Sequence, residues 1–291
     1  MKSAKQRMGC GIVVRAMLFG LMGMLGVSAP TAEAQTYLYG RAGFPTKSGP
    51  SAVATADLNS DGLVDLAVTN SNDNTVSILL AQATGGFGAQ VTYATGTSPN
   101  ALVIADFNGD GKPDLAILNQ NDNTVSVLLG NGDGTFQKQV TYATGSDPIG
   151  IVVADFNGDQ RLDLAIANSN DSTVSILLGN GNGSFQAQTT VAVGTQPISM
   201  ASGDFNGDGK LDLITSNAGT ETVTVLLSDG TGKFTRVDSP SEPECRGMAV
   251  GEFHNNGTPD VIVASQTTDQ VFLLTGNGDG SQQAAVSMLL S

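Results

Sequence analysis

The sequence has no tryptophan, a single histidine (His254), two cysteines (Cys10 and Cys245), 5% aromatic residues and 14% charged residues, and only 13 of its residues are basic against 27 acidic. Without a cationic cluster or aromatic platforms, a nucleic-acid groove is excluded. One histidine and so few cysteines leave no obvious histidine-activated nucleophile. No long apolar run is present either: the longest, Ala16 to Val27, is twelve residues, too short to cross a hydrocarbon core of roughly 30 Å. The remaining composition, 40% hydrophobic in 291 residues, is that of one large folded domain or two small ones.

The N-terminal segment reads as an export signal. Lys2, Lys5 and Arg7 precede the apolar run, and Ala32-Glu33-Ala34 offers a small-residue cleavage site before Gln35, the pattern of a secretory signal peptide. Residues 1–34 are therefore expected to be removed, leaving 35–291 secreted or held at the cell surface or in the periplasm. Cys10 leaves with the signal and is not set in a lipobox, so Cys245 stands alone and no intrachain disulfide can form. The segment carries off four basic residues and one acidic one, so 9 basic face 26 acidic residues in the remainder. A glycine-rich exported chain without disulfides needs another stabiliser, and bound metal is the common one.

What the chain does contain is one unit repeated. ADLNSDGLVDLAV from Ala56 returns as ADFNGDGKPDLAI from Ala105, ADFNGDQRLDLAI from Ala154 and GDFNGDGKLDLIT from Gly203, and more loosely as GEFHNNGTPDVIV from Gly251. The leading acidic residues Asp57, Asp106, Asp155, Asp204 and Glu252 are 49, 49, 49 and 48 residues apart. Pro50, Pro99, Pro148 and Pro197 precede the first four by seven residues, and Cys245 takes that place in the fifth. Such a period signals a propeller, solenoid or array. Within the second unit, the runs 101–107, 114–119, 124–130 and 136–143 read as four strands separated by turn chemistry, with no helix. The first three are almost continuously apolar and the fourth alternates, as an outer edge does. The expected fold is all-β: a β-propeller of about five four-stranded antiparallel blades, either a closed ring or an incomplete array. The segment 38–46 and the C-terminal 284–290 both compete for the last outer-strand position. An open array would leave edges that favour self-association.

The acidic loops 57–65, 106–114, 155–163 and 204–212 carry oxygen side chains at positions 1, 3, 5 and 9. These are Asp57, Asn59, Asp61 and Asp65; Asp106, Asn108, Asp110 and Asp114; Asp155, Asn157, Asp159 and Asp163; and Asp204, Asn206, Asp208 and Asp212. The position-7 carbonyls of Leu63, Lys112, Arg161 and Lys210 add a candidate main-chain ligand to each. The pattern shares the first half of an EF-hand loop, with Asp at position 9 in place of Glu at 12. Three carboxylates converging to roughly 4–5 Å repel by about 3–4 kcal/mol per pair at an effective dielectric near 20. A bound dication removes that cost, and oxygen ligands without His or Cys select Ca2+ over zinc or copper. The competing reading is a set of Asx-turns with carboxylates directed into solvent. Gln160 replaces glycine at position 6 of the third loop, where a positive φ costs roughly 1 kcal/mol. The fifth loop, 252–260, has Glu252, His254, Asn256 and Asp260 and is expected to bind metal poorly or not at all.

Together these features resemble the FG-GAP or VCBS repeat family, best known from the N-terminal propellers of integrin alpha chains, over residues 37–290. The D-x-N-x-D-G-x-x-D-L loop is the most specific part, and the family's Phe-Gly survives at Phe87-Gly88, with Thr135-Phe136 and Ser184-Phe185 in the aligned places. The resemblance implies Ca2+ in a hairpin between blade strands, and family propellers usually have seven blades. It further implies a non-catalytic adhesion or ligand-binding module whose partner is an extracellular protein or glycan. The Asn-rich turns 70–74, 119–123 and 168–171 are candidates for the contact surface, or are simply solvated turns. The alternative is a secreted Ca2+-dependent polysaccharide lyase or hydrolase on the same scaffold, for which His254 and Cys245 form no catalytic set.

Overall fold

The structure, a computed structural model, describes residues 43–242, 245–284 and 286–288. The expected signal segment 1–34 and most of the segment 38–46 lie outside the described residues.

Each repeat folds into one antiparallel sheet whose strands lie in chain order. The first sheet is β1 (Pro50–Ala56), β2 (Asp65–Asn70), β3 (Thr75–Leu79) and β4 (Val91–Ala94). The second is β5 (Pro99–Ala105), β6 (Asp114–Asn119), β7 (Thr124–Leu128) and β8 (Val140–Ala143). The third is β9 (Pro148–Ala154), β10 (Asp163–Asn168), β11 (Thr173–Leu177) and β12 (Thr189–Ala192). The fourth is β13 (Pro197–Gly203), β14 (Asp212–Asn217), β15 (Thr222–Ser228) and β16 (Phe234–Pro240). The fifth is β17 (Cys245–Gly251), β18 (Asp260–Ser265), β19 (Gln270–Leu274) and β20 (Val286–Met288). The last outer strand is thus supplied by the C-terminal candidate. From the other candidate, Phe44 is described outside any strand, with its ring edge-to-face on Phe87 at 5.1 Å.

Second and third strands are buried on both faces, as their unbroken apolar and β-branched runs require. First strands depart from that expectation and are half-buried. The reason is their place: β1, β5, β9, β13 and β17 adjoin one another in series at the inner rim, where neighbouring sheets converge and leave little room for a core between them. Cores fill the seams instead. Val76 and Ile78 of the first sheet meet Leu115, Ile117 and Leu128 of the second, Leu118 and Val125 meet Leu164 and Ile166, Val174 and Ile176 meet Leu213 and Leu226, and Val223 and Val225 meet Val261 and Val263.

Outer strands are shorter than the alternation over 136–143 suggests. Phe136 makes one isolated bridge with Gly130, and the ladder resumes only at Val140. The break turns the Phe136 ring into the seam, edge-to-face on Tyr93 of the preceding sheet at 5.5 Å. Phe185 repeats this against Tyr142. Gly130 permits the crossing, since a Cβ there would lie 2.1 Å from the Pro113 carbonyl oxygen. In the fourth sheet Ser228 stands in that place and the β15–β16 ladder runs unbroken.

Candidate functional site

Every acidic loop joins the first and second strands of its sheet, so all five emerge at one end of the array together with the turns between third and fourth strands. Position 9 opens the second strand and is fully buried in all five sheets: Asp65, Asp114, Asp163, Asp212 and Asp260. Its two oxygens brace the loop. In the second sheet, Asp114 Oδ2 accepts from Phe107 N at 2.9 Å and Oδ1 from Gly130 N at 2.7 Å. Asp65, Asp163 and Asp212 hold Leu58 and Ala81, Phe156 and Gly179, and Phe205 and Ser228 in the same manner. One buried carboxylate therefore ties the acidic loop to the far end of the third strand. The sequence pattern grouped position 9 with positions 1, 3 and 5 as candidate metal ligands, and this bracing role was missed; its signal is the constant Asp-Leu at the start of each second strand in the first four repeats.

Position 1 is half-buried and nucleates the turn. Asp106 Oδ1 accepts from Gly109 N at 2.8 Å and Oδ2 from Gly111 N at 2.8 Å, and Asp57, Asp155 and Asp204 accept from amides three to five residues on. At position 3, Asn59, Asn108, Asn157 and Asn206 each accept from the position-5 amide. At position 5, Asp61, Asp110, Asp159 and Asp208 accept from the amides of Leu63, Lys112, Arg161 and Lys210. Lys210 also folds its ammonium onto Asp208 at 3.1 Å, and Lys112 reaches Asp110 at 3.6 Å. Gln160 holds φ at 64°.

Among the described residues, no three His, Cys, Asp or Glu side chains are gathered as a formed metal cluster. The carboxylates are turned onto loop amides. The donor chemistry nevertheless suits a hard dication, because all candidates are oxygens. A carboxylate has about four lone-pair sites, so these bonds leave acceptor capacity, and position 5 is exposed. The loop charges repel one another: burial pushes the Asp114 carboxyl above its ordinary range against its two amide bonds, and Asp110 and Asp106 push it further. Asp163 and Asp212 are raised for the same reasons.

The fifth loop differs. His254 Nδ1 lies 3.0 Å from Asp260 Oδ2. Burial would raise the Asp260 carboxyl, but the histidine together with the Gly276 and Phe253 amides lowers it. Cys245 is buried, its thiol pushed up by burial and donating to the Glu242 carbonyl at 3.0 Å.

The Asn-rich turns at the opposite end fasten successive repeats. Asp73 Oδ2 accepts from Ser48 N, Asn74 Oδ1 from Ser98 N, and Asp122 and Asp171 hold Thr97 N and Ser146 N. Asn70, Asn119 and Asn168 are buried and donate to Ser77, Ser126 and Ser175 of the neighbouring strand.

Repeated hairpin loops of this geometry on blade-like sheets agree with the sequence comparison, in which the FG-GAP-like repeat matches residues 57–117, 106–166, 155–215 and 204–263. The chain belongs to the FG-GAP-like repeat family. No curated protein matches the sequence. Among solved structures, this FG-GAP-like chain is similar to a candidate 6-phosphogluconolactonase of Bacteroides uniformis, with TM-score 0.61, 15% identity, and 83% of this chain and 71% of that one covered. It is also similar to a protein of unknown function from Desulfotomaculum acetoxidans, with TM-score 0.57, 14% identity and 82% and 73% covered. A candidate 6-phosphogluconolactonase of Bacteroides fragilis follows, with TM-score 0.58, 13% identity and 77% and 70% covered. At these identities the likeness is one of fold, a propeller-like repeat architecture.

Proposed function

We propose that this FG-GAP-like protein is an exported, non-catalytic binding or adhesion scaffold whose loops 57–65, 106–114, 155–163 and 204–212 hold Ca2+, and whose partner is an extracellular protein or glycan. The observation that carries the reading is the strained carboxylate of the second, third and fourth loops: Asp114, Asp163 and Asp212 are raised first by burial and then by repulsion from Asp110 and Asp106, Asp159 and Asp155, and Asp208 and Asp204. Among the described residues, the lysines at position 7 of the second and fourth loops are the ones that oppose that charge with a side-chain ion pair. Bound Ca2+ would supply the missing positive charge. The chain's own part is to present the oxygens: position 9 fixes the loop to the sheet, position 1 shapes the turn, and positions 3 and 5 swing from loop amides toward the centre. A stiffened rim then offers a series of regularly spaced loops to a partner.

The test is a thermal melt of the full chain in chelator, followed by titration with Ca2+ or Mg2+. Four sites at 100 times their dissociation constant contribute about 2.7 kcal/mol each, on the order of 10 kcal/mol together. At roughly 2–4 °C per kcal/mol the midpoint rises by tens of degrees. A flat response to Ca2+ would remove the metal from the reading. For the partner, an array of glycans and matrix proteins is the direct probe; silence there, combined with turnover of an acidic polysaccharide, would favour an enzyme instead.

A further inference from the structure

Each internal seam is made by the forward face of one sheet and the backward face of the next, and among the described residues the forward face of the fifth sheet and part of the backward face of the first are not covered in this way. On the fifth sheet, Ala264 is exposed, whereas its counterparts Thr69, Leu118, Ala167 and Ser216 are fully buried. Ile262, Val271 and Leu273 are half-exposed where Ile214, Val223 and Val225 of the fourth sheet are fully buried. Phe253 makes the contrast sharpest: it is 51% exposed, while Phe107, Phe156 and Phe205 at the same loop position are 1–3% exposed. Those three sit under the following sheet, whose turn glycines Gly183, Gly232 and Gly280 donate to their carbonyls.

The first sheet is open over part of the reciprocal face, although Val68 and Leu79 on that face are buried. Val53 is 58% exposed against 9% for its counterpart Leu102, and Leu66 is half-exposed where Leu115, Leu164 and Leu213 are fully buried. Gly85, the counterpart of Gly134, Gly183 and Gly232, has nothing within 4 Å of a Cβ position, whereas each of those three meets a leucine of the preceding sheet within 3.2 Å. The two faces are uncharged at these positions and carry the residue types that already pack together four times within the chain.

We infer that the fifth sheet of one molecule seats on the first sheet of a second copy, continuing the seam packing from chain to chain. The occupant follows from the repeat: the surface that covers a forward face in this protein is a backward face, and the exposed backward face belongs to another copy's first sheet. Such a contact is heterologous, so it produces a ring where the rotation closes and a filament where it does not. It rests on packing alone and is independent of metal.

The internal seams specify a cross-link. Gly150 on the forward face of the third sheet has its Cβ position 3.7 Å from Met200 Cβ on the fourth, within the range of about 3.5–4.5 Å for a disulfide. The matching positions across the new contact are Gly247 of one copy and Val53 of the next. In the full chain carrying Cys10→Ser and Cys245→Ser, a Gly247→Cys copy mixed with a Val53→Cys copy is expected to give a disulfide-linked dimer, while neither copy alone gives one. A chain bearing both changes is expected to give a ladder of dimers and higher species. Light scattering of the unaltered chain should show at least twice the monomer mass, and Ala264→Glu or Phe253→Ala should return it to one chain. A strictly monomeric unaltered chain overturns the inference. So does a like-with-like dimer from either single variant, or a purely intramolecular disulfide in the double one, which would mean a self-closed ring.

Discussion

The bracing carboxylate gives the most direct test of how each acidic loop is built. Asp114→Ala removes the acceptor for two buried amides, Phe107 N at 2.9 Å and Gly130 N at 2.7 Å. Each unpaired buried donor costs about 1–3 kcal/mol, a gross loss of about 2–6 kcal/mol. Against this stands relief of a desolvated charge that is repelled by Asp110 and Asp106, which is why its carboxyl is raised. The net expectation is about 2–4 kcal/mol of destabilisation. Asp110→Ala removes only an exposed acceptor for Lys112 N and an exposed ion pair at 3.6 Å, so less than about 1 kcal/mol should be lost. Urea unfolding of the full chain in chelator, with the two variants and the unaltered protein side by side, reads the difference. Repeat arrays unfold partly by neighbour interactions, so the comparison is made on midpoints at equal slope. Equal or larger loss for Asp110→Ala would refute the assignment of bracing to position 9. Adding Ca2+ should then widen the deficit of Asp110→Ala, because position 5 is a proposed ligand.

The left-handed Gln160, with φ at 64°, predicts that Gln160→Gly stabilises the metal-free protein by roughly 1 kcal/mol, visible as a higher urea midpoint; a loss of stability would show that the side chain contributes more than its backbone costs. Carboxyl titration by NMR in chelator should place Asp114, Asp163 and Asp212 above the ordinary aspartate value of 3.8 and Asp260 below it. The signs for stability are opposite. The folded state binds protons more readily at the first three, so their contribution weakens the fold as pH rises from 3.8 through the raised values, whereas Asp260 stabilises above 3.8 and loses that contribution as pH falls through its lowered value. His254→Ala should move Asp260 upward toward the other three, and an unmoved Asp260 would contradict the ion pair.

Much of this was legible because the information is local and periodic. A repeat of 49 residues with an Asp-Leu, a Thr-Val and a turn at fixed offsets states where the strands of each sheet begin, and DLAILN is a strand over the residues 114–119 that its pattern marks. The outer strands were read too long because the ring of Phe136 is drawn into a seam with Tyr93, a contact between repeats that alternation along one segment does not encode. The same limit hid the bracing role of Asp114. Its partners are Phe107 and Gly130, which follow the two strands flanking β6, and only the folded ladder brings those amides to one carboxylate.

The sequence by itself determined the period, the strand order within each repeat, and the composition of the acidic loops, because spacing and residue type act over a few neighbours. Tertiary structure alone decided which oxygens face amides and that the Asn-rich turns are fastenings between repeats. It also decided that, among the described residues, Phe253 and Ala264 of the fifth sheet are exposed where their counterparts in other sheets are buried, and Val53 of the first where Leu102 is buried. Identical local units can close, stay open or continue into another molecule, and the choice depends on the angle accumulated across four seams, a property of packing that no single repeat contains.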